Sequence, residues 1–147
     1  MKEQELAAAV VAWLEKDGWD VYQEVKHRQV VADIVAVREE VSWIIEVKTS
    51  FGLNVLSQAN HWVVRGLANR VSVAVPASAC NRLRNFSEHV ANTFFIGVIY
   101  VDQYGVREKL LAARTPVAPA PMDITTSLRD EHKTFAKAGS ANGGYWT

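Results

Sequence analysis

Two periodicities divide the first hundred residues. Leu6, Val10, Trp13 and Leu14 recur at the spacing of one helical face, with strong helix-forming alanines between them. They predict a helix over residues 3–16, ended by Asp17-Gly18. Residues 19–25 then alternate like a strand, and Lys26-His27-Arg28-Gln29 is a polar turn. Residues 30–37 form an apolar run interrupted only by Asp33. Arg38-Glu39-Glu40 turns the chain again before a β-branched run over 41–47, broken late by Glu46. Three strands joined by turns this short predict an antiparallel meander.

Leu53, Leu56, Val63, Val64 and Leu67 then supply the apolar side of a second helix over 54–68. Residues 70–75 form a short apolar run ended by Pro76. Because it follows a helix directly, it is expected to join the sheet parallel to an earlier strand. A third helix is predicted over 81–91, and a closing hairpin from 94–101 and 106–111 around Asp102-Gln103-Tyr104-Gly105. The resulting order predicts an α/β (α+β) fold, a mixed central sheet flanked by helices. The pattern changes after Arg114. Residues 115–121 read as a proline-spaced linker, 127–137 allow one short helix, and 138–144 are glycine-rich. The expected division is a domain over 1–114 and a linker and tail over 115–147.

The 147 residues suit one domain, and 49% apolar with 22% charged residues is ordinary globular composition. Sixteen basic and sixteen acidic side chains cancel. Global charge therefore points to no nucleic-acid partner, and such a partner has to be argued from a local site. Cys80 is the only cysteine, which excludes an intramolecular disulfide framework and a cysteine-rich zinc site. It is expected as a buried or half-buried helix residue. His27, His61, His89 and His132 show no metal-ligand spacing. There is no P-loop and no dinucleotide-binding glycine motif, so no small-molecule cofactor is expected. The apolar runs over 6–14 and 93–101 are far short of the roughly 20 residues that span a bilayer. Glu3, Glu5 and Glu15-Lys16-Asp17 do not fit an export leader, so a cytoplasmic location and no membrane partner are expected.

The chemistry lies in Asp33, inside one apolar strand, and Glu46-Val47-Lys48, at the end of the next. Residues two apart on a strand share a face, so Glu46 and Lys48 are expected to point the same way. A carboxylate in such surroundings costs several kcal/mol unless it meets a cation or hydrogen-bond donors. Neighbouring strands would bring both acids and the lysine to one end of the sheet. Two carboxylates on rigid strands suit Mg²⁺, a hard ion that keeps several waters. A lysine beside them suits the charge that develops on a phosphate under attack.

The stretch Val31-Ala32-Asp33-Ile34-Val35-Ala36-Val37, followed by Trp43-Ile44-Ile45-Glu46-Val47-Lys48-Thr49-Ser50, resembles the PD-(D/E)xK nuclease superfamily, whose fold is restriction-endonuclease-like. The order helix, three-stranded meander, helix, strand is also that superfamily's core. The resemblance covers roughly residues 3–75, and extends less closely to 111. It implies Asp33, Glu46 and the Val47 carbonyl as ligands of Mg²⁺ or Mn²⁺, and Lys48 as the residue that assists the water. Gln58 resembles the glutamine that many branches place near the metal. Glu5 matches the first-helix glutamate of some branches, and Glu24 is a further candidate acid. Ala32 stands where the family's proline would be. Trp62 stands where one branch has a tyrosine four residues after the glutamine.

The expected function is a metal-dependent endonuclease hydrolysing DNA phosphodiesters, with RNA as an alternative substrate, acting as a homodimer. Lys26, Arg28, Thr49, Ser50 and His61 are candidate nucleic-acid contacts, of the kind that position a backbone without reading sequence. Two other readings stand beside it. One is a nuclease-fold module that binds nucleic acid or protein without cutting. The other is a structure-specific enzyme of the junction-resolvase kind, or one directed at RNA.

Overall fold

The computed structural model describes residues 1–79, 83–117 and 123–134. Its centre is a six-stranded mixed sheet, as the element pattern predicted, with the strands in the order β1-β2-β3-β4-β5-β6. The strands are β1 (Asp20–His27), β2 (Val30–Arg38), β3 (Val41–Val47), β4 (Arg70–Pro76), β5 (Gly97–Asp102) and β6 (Gly105–Leu110). β1, β2 and β3 form the antiparallel meander. β4 adds parallel to β3, β5 parallel to β4, and β6 closes antiparallel to β5.

The helices are α1 (Glu3–Lys16), α2 (Leu53–Val64), α3 (Arg84–Thr93) and the one-turn α4 (Glu131–Thr134). α1 buries Leu6, Ala7, Val10 and Leu14 against Ile34, Ala36, Trp43 and Ile45 on one face of the sheet. α2 buries Val55, Leu56, Ala59 and Trp62 against Val35, Ile44, Val71 and Val73 on the other, where Ala91 of α3 joins them. The sheet is therefore buried on both sides at its centre, which is why β2 to β5 read as nearly continuous apolar runs.

Each helix end has a local cause. Gly18 has φ +89°, and Gly18 N–H and Trp19 N–H donate to the carbonyls of Glu15 and Leu14 at 3.0 and 3.1 Å. This is a glycine C-cap that returns the chain towards β1. Gly66 (φ +61°) does the same for α2, with Gly66 N–H on Val63 and Leu67 N–H on Trp62. α2 consequently stops at Val64, short of the predicted residue 68. The predicted strand start at 94 shifts to Gly97, because residues 94–96 cap α3: Ile96 N–H reaches the Ala91 carbonyl at 2.8 Å.

The chain beyond β6 returns to the sheet. Ile124 opens a single 3-10 turn (Ile124–Ser127), is fully buried in the α2-side core, and donates its N–H to the Leu67 carbonyl. Lys133 of α4 lies 4.9 Å above the Tyr22 ring and 4.0 Å from Asp20. Residues 123–134 thus run beside β1, the outer strand, and cover an edge that would otherwise be open to pairing. Cys80, Asn81 and Arg82 lie outside the described residues, as do 118–122 and 135–147, with the glycine-rich stretch and the end of the predicted tail helix. Among the described residues no helix is long and apolar enough to cross a membrane.

Ile124→Ala tests this docking. Loss of a fully buried isoleucine is expected to cost about 2–5 kcal/mol in urea unfolding, while Thr125→Ala at the exposed neighbouring position stays within about 0.5 kcal/mol. Equal stability of the two variants would mean that residues 123–134 do not belong to the core.

Candidate active site

Asp33 sits where both of its neighbouring ladders are interrupted. On the β3 side, regular pairing ends at Ile34 with Ile45. Beyond that point the Asp33 carboxylate accepts the Val47 backbone N–H at 2.8 Å, in place of a strand carbonyl. On the β1 side, Gln23 pairs with Ile34 and Val25 with Ala32, but the intervening Glu24 lies in the left-handed region at φ +51°. That conformation is costly for a residue other than glycine.

The consequence is visible in the packing. Residues four apart on an unbroken strand share a face. Val21 packs on the α1 side and Val25 on the α2 side; Ile34 packs on the α1 side and Ala32 on the α2 side. The β1–β2 ribbon therefore changes face at Glu24 and Asp33, and opens a fork at the ends of β2 and β3.

Glu46 fills that fork. It is 3% exposed and in side-chain hydrogen-bond contact with Asp33. Trp62 Nε1 of α2 donates to Glu46 Oε1 at 2.7 Å. Burial pushes the Glu46 carboxyl well above the usual glutamate range, and the Asp33 charge pushes it further. Burial also raises Asp33, against the lowering effects of the Glu46 hydrogen bond, the Val47 N–H and the Lys48 ammonium. Two carboxyls in contact cannot both ionise cheaply, and burial together with that contact raises Glu46 furthest. Glu24, 4% exposed, is close enough to raise Glu46 a little more.

Lys48 lies one residue past the end of β3 and is half-buried. Its backbone N–H donates to the Ala74 carbonyl at 3.1 Å, and its ammonium pairs with Glu3 of α1 at 3.8 Å, close enough to Asp33 to lower that carboxyl. The first-helix acid that reaches the site is therefore Glu3, and the sequence candidate Glu5 is exposed instead.

An open cleft of about 350 Å³ leads to the two acids, lined by Val30, Val31, Ser57, Gln58 and His61. Gln58 and His61 thus share the cleft with Asp33 and Glu46. Partial burial, and then the charges of Arg65 and His27, hold the His61 imidazole below its usual range. His61 therefore faces the cleft as a neutral donor and acceptor near pH 7. The remaining candidates lie elsewhere. Thr49 and Ser50 line a separate groove of about 650 Å³ with Phe51, Leu53, Leu83 and Phe86. Lys26 and Arg28 line a third cavity beside residues 126–132.

The donor set is oxygen-only, anionic and buried, which suits a hard divalent cation. Among the described residues no three histidine, cysteine, aspartate or glutamate side chains converge as a ready-made metal cluster. The fit is that of two carboxylates and a backbone carbonyl, with water completing the shell. The residues that the motif alone did not single out are Trp62 and Glu3. Trp62 carried a signal, since it lies four residues after Gln58, one turn of helix along.

No family model matches the chain, and no curated protein matches it. Solved structures do. The chain is similar to an XisH family protein from Nostoc punctiforme, at 18% identity and a TM-score of 0.53, over 74% of this chain and 98% of that one. An fdxN element excision controlling factor from Anabaena variabilis matches at 20% identity and a TM-score of 0.42, over 71% of this chain and 95% of that one. XisH family proteins adopt a restriction-endonuclease-like fold. The fold of this chain, a mixed six-stranded sheet between helices, is of that kind.

Proposed function

We propose that the chain is a metal-dependent nuclease that hydrolyses phosphodiester bonds in DNA. The observation that carries this reading is the contact between Asp33 and Glu46 in a buried fork, with the Lys48 ammonium near enough to lower Asp33. A structural carboxyl pair of this kind gains nothing over an apolar pair, because its desolvation is uncompensated. A divalent cation compensates it.

Asp33, Glu46 and the Val47 carbonyl would hold Mg²⁺ or Mn²⁺. The bound ion would supply a water of lowered pKa and neutralise charge on the phosphate. Lys48 would orient that water or stabilise the oxygen that gains charge, with Glu3 fixing where the ammonium stands. Trp62 holds one oxygen of Glu46 and so restricts rotation of the carboxyl, the usual task of a residue behind a metal ligand. Gln58 and His61 would donate to the phosphate from the wall of the cleft. A single site cleaves one strand, and a two-fold dimer would offer a second site to the other.

Nicking of supercoiled plasmid is the direct test. Conversion to open circles is expected with Mg²⁺ or Mn²⁺ and none in EDTA. Glu46→Gln and Lys48→Ala are expected to abolish it, and Trp62→Phe to lower it about 10–100-fold. Nicking that survives Glu46→Gln contradicts the assignment. Binding of plasmid without nicking under all conditions favours the non-cleaving module.

The raised carboxyl values set a pH dependence. A carboxyl raised in the folded chain stabilises it fully below the unfolded value, about 4.5 for glutamate, and that contribution is lost as pH rises through the folded value. In EDTA the melting temperature of the parent is therefore expected to fall, relative to Glu46→Gln, as pH rises above 5. Metal binding requires both carboxylates, so Mg²⁺ is expected to raise the melting temperature of the parent more at pH 8 than at pH 6, and to leave Glu46→Gln unmoved. Parallel curves for the two proteins would contradict the raised Glu46 carboxyl.

A further inference from the structure

A second cavity, of about 310 Å³, lies on the other strand of the β1–β2 hairpin. Lys26 and Arg28 line it from the hairpin turn, and Thr126, Ser127 and Arg129 from the segment that returns beside β1. Three cations and two hydroxyls line one small space.

The cavity is held in place by buried contacts. Ser127 Oγ lies 2.6 Å from Nδ1 of His27, which is 4% exposed. His132, 2% exposed, accepts the Arg129 backbone N–H on Nδ1 at 3.0 Å. Ile124 anchors the same segment in the core. The Arg28 backbone is fixed by the tight turn, with Arg28 and Gln29 both at positive φ, at 51° and 74°. The cations are thus presented by pinned backbone from two parts of the chain.

Position ties this cavity to the cleft. Lys26 and His27 are the cross-strand partners of Val31 and Val30, which line the opening to Asp33 and Glu46. Strand geometry puts the Cα atoms of Lys26 and Asp33 roughly 8 Å apart.

We infer that this cavity binds a phosphate group, and that its source is the nucleic-acid backbone close to the bond placed at Asp33 and Glu46. The second half of that statement rests on the nuclease reading; the first half does not. Guanidinium forks and hydroxyl donors are the groups that recognise phosphate oxygens. The site would fix the register of the strand without reading its bases.

The test uses the full chain, its Lys26→Gln, Arg129→Gln variant and each single variant, with unchanged melting temperature as the folding control. Anisotropy of a labelled 20-base-pair duplex is measured in Ca²⁺ across a salt series, and inorganic phosphate binding by calorimetry. The double variant is expected to bind the duplex at least 10-fold more weakly, with the slope of log affinity against log salt reduced by about 1–2. The single variants are expected to fall between it and the parent, and Mg²⁺-induced stabilisation is expected to be unchanged. If the parent binds no duplex yet binds phosphate, and the double variant loses it, the cavity stands with free phosphate as its ligand and the nuclease reading fails. Duplex and phosphate binding equal to the parent's in the double variant, or no binding of either by the parent, overturns the inference.

Discussion

One carboxylate stands where a backbone carbonyl would. Asp33 accepts the Val47 N–H at 2.8 Å at the point where β2 and β3 cease to pair. Without that acceptor a backbone donor at the end of a buried strand would lose its partner, at a cost of about 1–3 kcal/mol. With it, the strands part without leaving a donor unsatisfied, and Glu46 enters the gap. The fork, the buried acid within it and the open cleft before it all depend on this substitution of side chain for main chain. The left-handed Glu24 serves the same end from the other flank, by releasing β1 from Asp33 and turning the ribbon over.

The fork works against local stability. Two carboxyls in contact, both raised by burial, and a residue other than glycine at positive φ are features that folding alone does not favour. They persist because α1 and α2 clamp the sheet from both faces. Under the proposed function they belong to a cation site, since perturbed acids gather where chemistry is done. Trp62 links the two roles. Its ring is part of the α2-side core, and its Nε1–H holds the acid.

The fold was legible in the residue pattern because the sheet is buried on both sides. Long apolar runs marked the strands, and short polar turns fixed the meander, so the mixed sheet and the parallel addition of β4 followed. Two boundaries did not follow. α2 and β5 were predicted too long in the directions of Leu67 and Phe94, because apolar residues continue past the caps and only the left-handed turns at Gly66 and Phe95 end or delay the elements. Of the site, the motif gave Asp33, Glu46 and Lys48 as neighbours. It pointed to Glu5, two residues from Glu3 on the same helix: which of them reaches Lys48 depends on how α1 crosses the sheet, and it is Glu3. Nor did the proline-spaced linker reveal that Ile124 returns to the core, since one buried isoleucine in a polar segment leaves no periodicity to read.

The central claim is that Asp33 and Glu46 grip one divalent cation. Anomalous diffraction at the manganese edge, from crystals soaked in Mn²⁺ near pH 8, tests it most directly. The account predicts one strong peak in the fork, at about 2.0–2.3 Å from an oxygen of each carboxyl, and its absence from Glu46→Gln crystals. A fork that stays empty while the carboxyls remain in mutual contact, or a peak bound by other residues alone, would contradict it.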